Sequence, residues 1–429
     1  MLTKERNETL TRVGPGTPMG ELLRRYWYPV AFEKDLESWP IKKVRLLCED
    51  FALYRTPDGS FGIIQEKCPH RHASMVNGIV EEDGIRCGYH GWCYDKTGQC
   101  IDQPAEPENS VFKDKIKAQA GRAEELGGMI WAYIGPEPAP ALPRFDVFVM
   151  EGVRDVGHSV LPCNWLQIME NSVDPHHVEF LHGRFFQFLG SQTGFEAPSS
   201  FTRAKHVKVG FDPFEWGIIK RRVLEGMTEE DDDWAIGHPL VFPEFMRVGG
   251  GGIDQMQIRV PIDDTHTWAM FYSVHHPEGA GEFAEHGPLV EYEYEWIDDD
   301  GKFIVDYIEG QDVMAWVSQG EIADRTAEHI GKSDAGLIML RRMFKEQMGL
   351  VAEGSDPAVG FTRENHDRID LPCEKDKFGA GAAFSFQWIN GGSMRYSPQK
   401  SDLLALHTDA AVARGEPNLD ELMEAAAGQ

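Results

Sequence analysis

Residues 28 to 135 break into apolar runs of three to six residues separated by Gly, Pro and Asp: Tyr28–Phe32, Val44–Leu47, Ala52–Arg55, Gly62–Ile64 and Met129–Ile134. Short runs bounded by turn residues read as strands, so this stretch predicts a small all-β unit. Ahead of it, we read residues 1–27 as a helical arm. Behind it, Gly135–Pro143 places four prolines in nine residues, which stiffens the chain and denies helix and sheet their hydrogen bonds. A division at residue 140 follows, with one unit over 28–140 and a second over 141–429.

In the second unit, residues 164–183 have helical spacing, and 201–275 alternate apolar with polar positions, as in Gln255–Val260. Helical spacing returns over 311–348, where Leu337, Leu340, Phe344 and Met348 recur three and four residues apart. Strands grouped ahead of helices predict an α+β fold with an antiparallel sheet covered by helices. Gly249–Gly252 reads as a hairpin turn, since it lacks the context of a phosphate loop. The acidic runs Glu229–Asp233 and Asp298–Asp300 read as solvated turns, because neither completes a calcium-loop spacing. A last helical stretch is expected over Leu419–Ala427.

Composition narrows what such a molecule can do. The 42 Lys and Arg stand against 70 Asp and Glu, a formal charge of −28, in a chain that is 41% hydrophobic and 11% aromatic. That is a globular chain without the cationic footprint that nucleic acid or an anionic membrane requires, so neither is an expected partner. No run approaches the ~18 apolar residues of a spanning helix, and the first ten residues carry charges where a secretory leader has its apolar run. A cytoplasmic location is expected. Seven cysteines are too few for a disulfide scaffold, and their clustering between 68 and 100 points to a metal.

Cys68-Pro-His70 and, after sixteen residues, Cys87-Gly-Tyr-His90 form two arms, each with one thiolate and one imidazole. In a Rieske [2Fe–2S] centre two Cys bind one iron and two His the other, so two loops gripping the cluster from opposite sides must each donate one of each. A zinc site uses the same ligand types, but zinc fingers group a Cys pair and then a His pair, whereas these interleave and run into Gly91-Trp92. His72 and Cys93 are surplus to a set of four and read as packing residues.

A second constellation lies in Asn164–His182, where Asp174, His177 and His182 are spaced D-x-x-H-x4-H. Two imidazoles and a later carboxylate on one face of iron(II) leave positions open for dioxygen. On a regular helix His177 and His182 would point about 140° apart at 100° per residue. Convergence therefore needs a π-type turn or a helix that ends before His182. His176 competes with His177, and the carboxylate is open among Asp306, Glu309 and Asp312.

Cys68-Pro-His-Arg-His72 and Cys87-Gly-Tyr-His-Gly-Trp92 resemble the Rieske motif of ring-hydroxylating oxygenases. The respiratory type of Rieske protein carries a further disulfide whose positions here hold Ala73 and Tyr89, so the resemblance is to the oxygenase branch. It implies cluster ligands Cys68, His70, Cys87 and His90, and a catalytic domain of helix-grip type. The register Asn171-x-x-Asp174-x-x-His177-x4-His182 implies iron ligands His177 and His182. Gly310–Trp316 is similar to the segment holding the third iron ligand in the phthalate-dioxygenase-like branch and implies Asp312. The resemblance also implies a head-to-tail homotrimer in which His90 donates to Asp174 of the neighbouring subunit, with Asp174 also bonding His177.

The same resemblance implies the cofactors, a [2Fe–2S] cluster and a mononuclear Fe(II). Electrons would come from a separate NAD(P)H-dependent reductase or a ferredoxin, because no nicotinamide or flavin fingerprint occurs in the chain. Residues 1–135 carry a net charge of −2 and the remainder −26, which leaves the N-terminal unit as the surface where an acidic donor would meet least repulsion. The expected substrates are dioxygen and an aromatic carboxylate, with Arg222, Arg247 and Arg259 as candidates for a bidentate clamp. Gly217–Arg222 and His238–Phe242 also resemble methoxyaromatic O-demethylases. Expectation therefore leans to O-demethylation of a lignin-derived methoxyaromatic acid over cis-dihydroxylation by a phthalate-type dioxygenase. A Rieske electron carrier joined to a ligand-binding module is the alternative of a different class.

Overall fold

The structure, a computed structural model, describes residues 1–194, 201, 205–283 and 287–416, so the helix expected over 419–427 lies outside the described residues. Alternating Gly, Pro and apolar positions do fold as strands in the N-terminal half. Tyr28–Phe32, Ile41–Leu46, Glu49–Arg55, Phe61–Gln65, Ala120–Leu126 and Met129–Tyr133 make an antiparallel six-stranded sheet. Four short strands from Ile79 to Asp102 make a second sheet beside it, carrying the second Cys/His arm on its turns. Helices Lys4–Thr11 and Pro18–Leu23 precede the sheets, each opened by a threonine whose side chain accepts from the first turn.

The C-terminal half is built on an eight-stranded sheet in the order His206–Phe214, Gly217–Leu224, His238–Val241, Phe245–Gly250, Ile253–Pro261, Thr267–His275, Val153–Leu161, Leu289–Glu293. Seven strands run antiparallel, but the edge strand Leu289–Glu293 pairs parallel with Val153–Leu161. Neither of those two strands was expected from the hydrophobic pattern. The central strands Ile253–Pro261 and Thr267–His275 are buried on both faces instead of alternating. The N-terminal sheet packs against one face, where Trp131 meets Phe148 edge-on at 5.1 Å and Phe245 at 6.1 Å. A hydrophobic core joins both halves from Leu10 to Leu371, and smaller buried clusters lie among the described residues beside the Cys/His loops and beside the π-helix.

Two helical expectations are corrected in detail. The 164–183 stretch is an α-helix, Trp165–Val173, that stops at Asp174-Pro175, as a residue before proline disfavours the helical region, and then a π-helix, Val178–Phe185. The 311–348 stretch is two helices, Ile308–Val317 and Ala335–Ala352, separated by an irregular segment. Gly249–Gly252 does form the hairpin turn, with Gly251 and Gly252 in the left-handed region at φ of 60° and 82°. Asp298–Asp300 is an exposed turn as expected. Asp233 departs from the expected solvated turn. It is 1% exposed and accepts from the Nε of Arg222 at 2.6 Å, because the buried guanidinium of the adjacent strand needs a counter-charge.

Two candidate metal centres

The two Cys/His arms fold as loops of one design. In the first, the Cys68 N–H donates to the Ala73 carbonyl and the His72 N–H to the Cys68 carbonyl. In the second, the Cys87 N–H donates to the Trp92 carbonyl and the Gly91 N–H to the Cys87 carbonyl. The fourth residue after each cysteine is left-handed, His72 at φ 59° and Gly91 at φ 76°. His72 thus serves the turn through its backbone. Cys93, the other surplus residue, is buried with its thiol directed at Glu81 at 3.6 Å. Arg86 braces the second loop by donating to Glu81, to Asp102 and to the Gly91 carbonyl.

Within this frame the four side chains separate by type. Cys68 and Cys87 are buried, and burial together with the neighbouring Cys87 sulfur pushes the Cys68 thiol up. His70 and His90 sit outward with ring centroids 4.6 Å apart, and Trp92 stacks on His70 at 4.2 Å. A single tetrahedral zinc would draw its four donors to within ~4 Å of one another. Among the described residues, the one group of three or more candidate donors gathered within 4.8 Å lies elsewhere. A thiol pair beneath an imidazole pair fits a dinuclear cluster with unlike ends.

That tighter group is His177, His182 and Asp312, whose candidate donor atoms all lie within 4.8 Å. The π-helix explains how residues five apart converge, because its hydrogen bonds join i to i+5. His177 caps this helix and His182 lies inside it, with ring centroids 5.3 Å apart. Asp312 comes from helix Ile308–Val317, its Oδ1 3.2 Å from His182 Nε2 and 3.8 Å from His177 Nε2. The rivals are engaged elsewhere: Asp306 pairs with Arg395, and Glu309 accepts from the Ser393 N–H and hydroxyl. His176 turns toward His206, ring centroids 5.4 Å apart.

Hydrogen bonds on the far side of each ring set the tautomers. His177 Nδ1 meets the backbone oxygen of Asp174 at 2.6 Å, and His182 Nδ1 meets Gln311 Oε1 at 3.0 Å. Both partners are acceptors, so both Nδ1 atoms carry the proton and both Nε2 lone pairs face Asp312. Asp312 Oδ1 is buried without a hydrogen-bond partner. With both Nδ1 protons turned outward, the two Nε2 atoms and Oδ1 converge as a donor set that a cation satisfies. Burial lowers His177 to about 3 and keeps it neutral, with Asp312 opposing. Burial also works against a His182 cation, but Asp312 outweighs it and raises that ring. Asp312 is itself held low, its burial overcome by the two imidazoles.

Gln311, missed in the sequence, is thus the outer partner of one candidate ligand. Its amide is fixed in turn by donation to the Val305 carbonyl at 3.0 Å. Replacing Gln311 by Leu is expected to weaken iron affinity about 10- to 100-fold while leaving the fold intact, measured by competition with a chelator. Asp174 also differs from expectation. Its carboxylate accepts from the His176 N–H at 2.8 Å, and only its backbone oxygen meets the His177 ring. The side chain remains partly open to a cleft lined by Glu170, Asn171, Glu328, Asp334 and Arg341. Below it, Glu170 accepts from Arg325 and Arg341 and anchors helix Trp165–Val173.

A cavity of about 60 Å³ opens beside the triad, lined by His177, His182, Asp312, Trp316, Phe378 and Trp388 among others. Of the three candidate arginines only Arg222 reaches it. Arg247 is buried against Asp146 and Asp254 in a separate cleft. Arg259 spends its donors on Gln257, and burial lowers it to about 9. Lys220, Lys377 and His238 also line the cavity and were not singled out from the sequence.

A Rieske-type β unit joined to a sheet-and-helix unit bearing two histidines and a carboxylate is the build of an electron-fed, dioxygen-using iron enzyme. The Rieske [2Fe-2S] domain family matches residues 26–117, and the LigXa C-terminal domain like family matches 295–373. The chain is 41% identical to the 5,5'-dehydrodivanillate O-demethylase oxygenase subunit of Sphingobium sp., over 83% of each chain. It is 31% identical to the phthalate 4,5-dioxygenase oxygenase subunit of Pseudomonas putida, over 84% of this chain and 89% of that one. Among solved structures, NdmA of Pseudomonas putida CBB5 shares the fold at a TM-score of 0.59 and 19% identity, covering 81% of this chain and 98% of that one.

The chain belongs to the Rieske non-haem iron oxygenases, as a terminal oxygenase component. It is an O2-dependent oxidoreductase that uses a [2Fe–2S] cluster, a mononuclear iron and electrons supplied by a reductase or ferredoxin. Membership sets aside the electron-carrier alternative. No helix among the described residues is long and apolar enough to cross a membrane.

Proposed function

We propose that the protein removes a methyl group from an aromatic methoxy acid, with the cluster held by Cys68, His70, Cys87 and His90 and the iron by His177, His182 and Asp312. The observation that carries this reading is the cavity at the triad, in which a buried arginine and two buried lysines meet apolar and aromatic walls. The 41% identity to an O-demethylase subunit supports the same choice. The iron, when bound, supplies activation of dioxygen, and the cluster supplies electrons. The residues of the chain do the rest. Trp316, Phe378, Trp388 and Val248 exclude water from the cavity, and Arg222 engages the acid.

We further propose a head-to-tail homotrimer, located in the cytoplasm, in which Asp174 accepts from His90 of the neighbouring subunit. The outward setting of His90 and the open cleft at Asp174 support it. The chain would divide into an arm over 1–27, a cluster-bearing part to 140 and an iron-bearing part from 141. With a reductase and a methoxybenzoate, formaldehyde should form in one-to-one proportion to the NADH consumed in coupled turnover. A cis-diol without formaldehyde would replace this reading with the dihydroxylating one, which the 31% identity to a phthalate dioxygenase subunit supports.

A further inference from the structure

Lys220 and Arg222 stand two residues apart on strand Gly217–Leu224, so both side chains leave the same face of the sheet. They are 3% and 2% exposed and line the iron-side cavity. Buried cations are rare unless paired. Two of the three cations here are paired: Arg222 with Asp233, and Lys377 with Glu374. Glu374 is further engaged by His238 at 3.2 Å. Lys220 donates to the Ser172 backbone oxygen at 2.8 Å. Among the described residues no carboxylate reaches it at ion-pair distance, and Asp174 and Glu374 act on it only from farther away. Arg222 holds one more unused donor, its buried Nη2, which has no hydrogen-bond partner.

Lys220, with no carboxylate at ion-pair distance, and the unpartnered Nη2 of Arg222 thus line the cavity with donor capacity to spare. Burial and the flanking Arg222 and Lys377 cations lower Lys220 to about 7, against Asp174 and Glu374. Its neighbour His238 is held neutral by burial and by the same lysines. An anionic group placed between the Lys220 and Arg222 donors would accept from both and favour the protonated form of Lys220. We propose that Lys220 and the free Nη2 of Arg222 together receive one oxyanion of the substrate, and that Lys220 sets the preference for anionic over neutral aromatic substrates. This rests on the reading of the cavity as the substrate site, and it adds a residue and a charge rule to it. A carboxylate and a phenolate present the same chemistry to the pair.

The test is equilibrium binding by calorimetry to the iron-loaded, full-length protein under argon, where no turnover occurs. The probes are 4-methoxybenzoate, 4-methoxybenzamide and 2-methoxyphenol. Wild type should bind the acid at least about 30-fold more tightly than the amide, the scale of a buried charge pair. Lys220→Met should lose about 30-fold on the acid and less than about 3-fold on the amide, and Lys220→Arg should restore most of the loss. A Lys220-dependent loss confined to 2-methoxyphenol would identify a phenolate as the oxyanion and uphold the pairing. Equal losses on all three probes, or a wild type indifferent to the charge of its probe, overturns the proposal. Formaldehyde yield is a separate readout: a Lys220-dependent acid preference without formaldehyde keeps this inference and removes O-demethylation.

Discussion

Replacing Asp312 by Ala should lower the iron content from about three atoms per chain to about two, abolish turnover and leave the brown colour of the cluster unchanged. The reason lies in the donor set. Asp312 is the one carboxylate of the group, its Oδ1 facing both Nε2 atoms. Without it two neutral imidazoles remain, with no negative charge to offset the ion's desolvation. Asp306→Ala is the control, since Asp306 pairs with Arg395 and stands outside the group. Iron analysis and the visible spectrum read the outcome together. An Asp312→Ala protein with full iron would move the third ligand elsewhere.

Asp174→Asn should behave differently, keeping about three irons per chain while turnover falls about 100-fold. The backbone oxygen that orients His177 survives the substitution, and an asparagine still caps the His176 N–H through its side-chain oxygen. What is lost is the charged acceptor proposed for His90 of the neighbouring subunit. A charge-assisted hydrogen bond is roughly twice as strong as a neutral one, and a carboxylate between two imidazoles couples their charge states. The distinguishing measurement is a single turnover from pre-reduced protein. The cluster should be reducible as in wild type, yet be reoxidised slowly when substrate and dioxygen are added. Wild-type reoxidation would remove Asp174 from the electron path.

How much of this was legible in the sequence depended on how local each feature is. The cluster arms were legible because each pairs a thiol and an imidazole two or three residues apart, within a loop closed by its own backbone hydrogen bonds. Angular arithmetic showed that H-x4-H cannot converge on an α-helix and left a π-type turn or a helix end before His182; the structure has the π-helix. Asp312 stands 130 residues after His182 in the chain, so only resemblance singled it out from Asp306 and Glu309. Strands Val153–Leu161 and Leu289–Glu293 were missed because their partners lie far away along the chain. Asp233 was misread because a run of acids looks alike whether one member is buried or not. Lys220 was overlooked beside the arginines, although the alternation of Ile218, Lys220, Arg222 and Leu224 on one strand face placed two cations where apolar residues belong.

The π-helix has a thermodynamic consequence. An i to i+5 turn is rare because it amounts to one residue too many in an α-helix, and this segment would gain hydrogen-bond quality by reverting. Reversion would swing His182 away from His177. Ion binding and the π register are therefore linked functions, each favouring the other by the same free energy. The ligands hold the ion, and the ion in turn holds a backbone register that the local sequence alone would abandon.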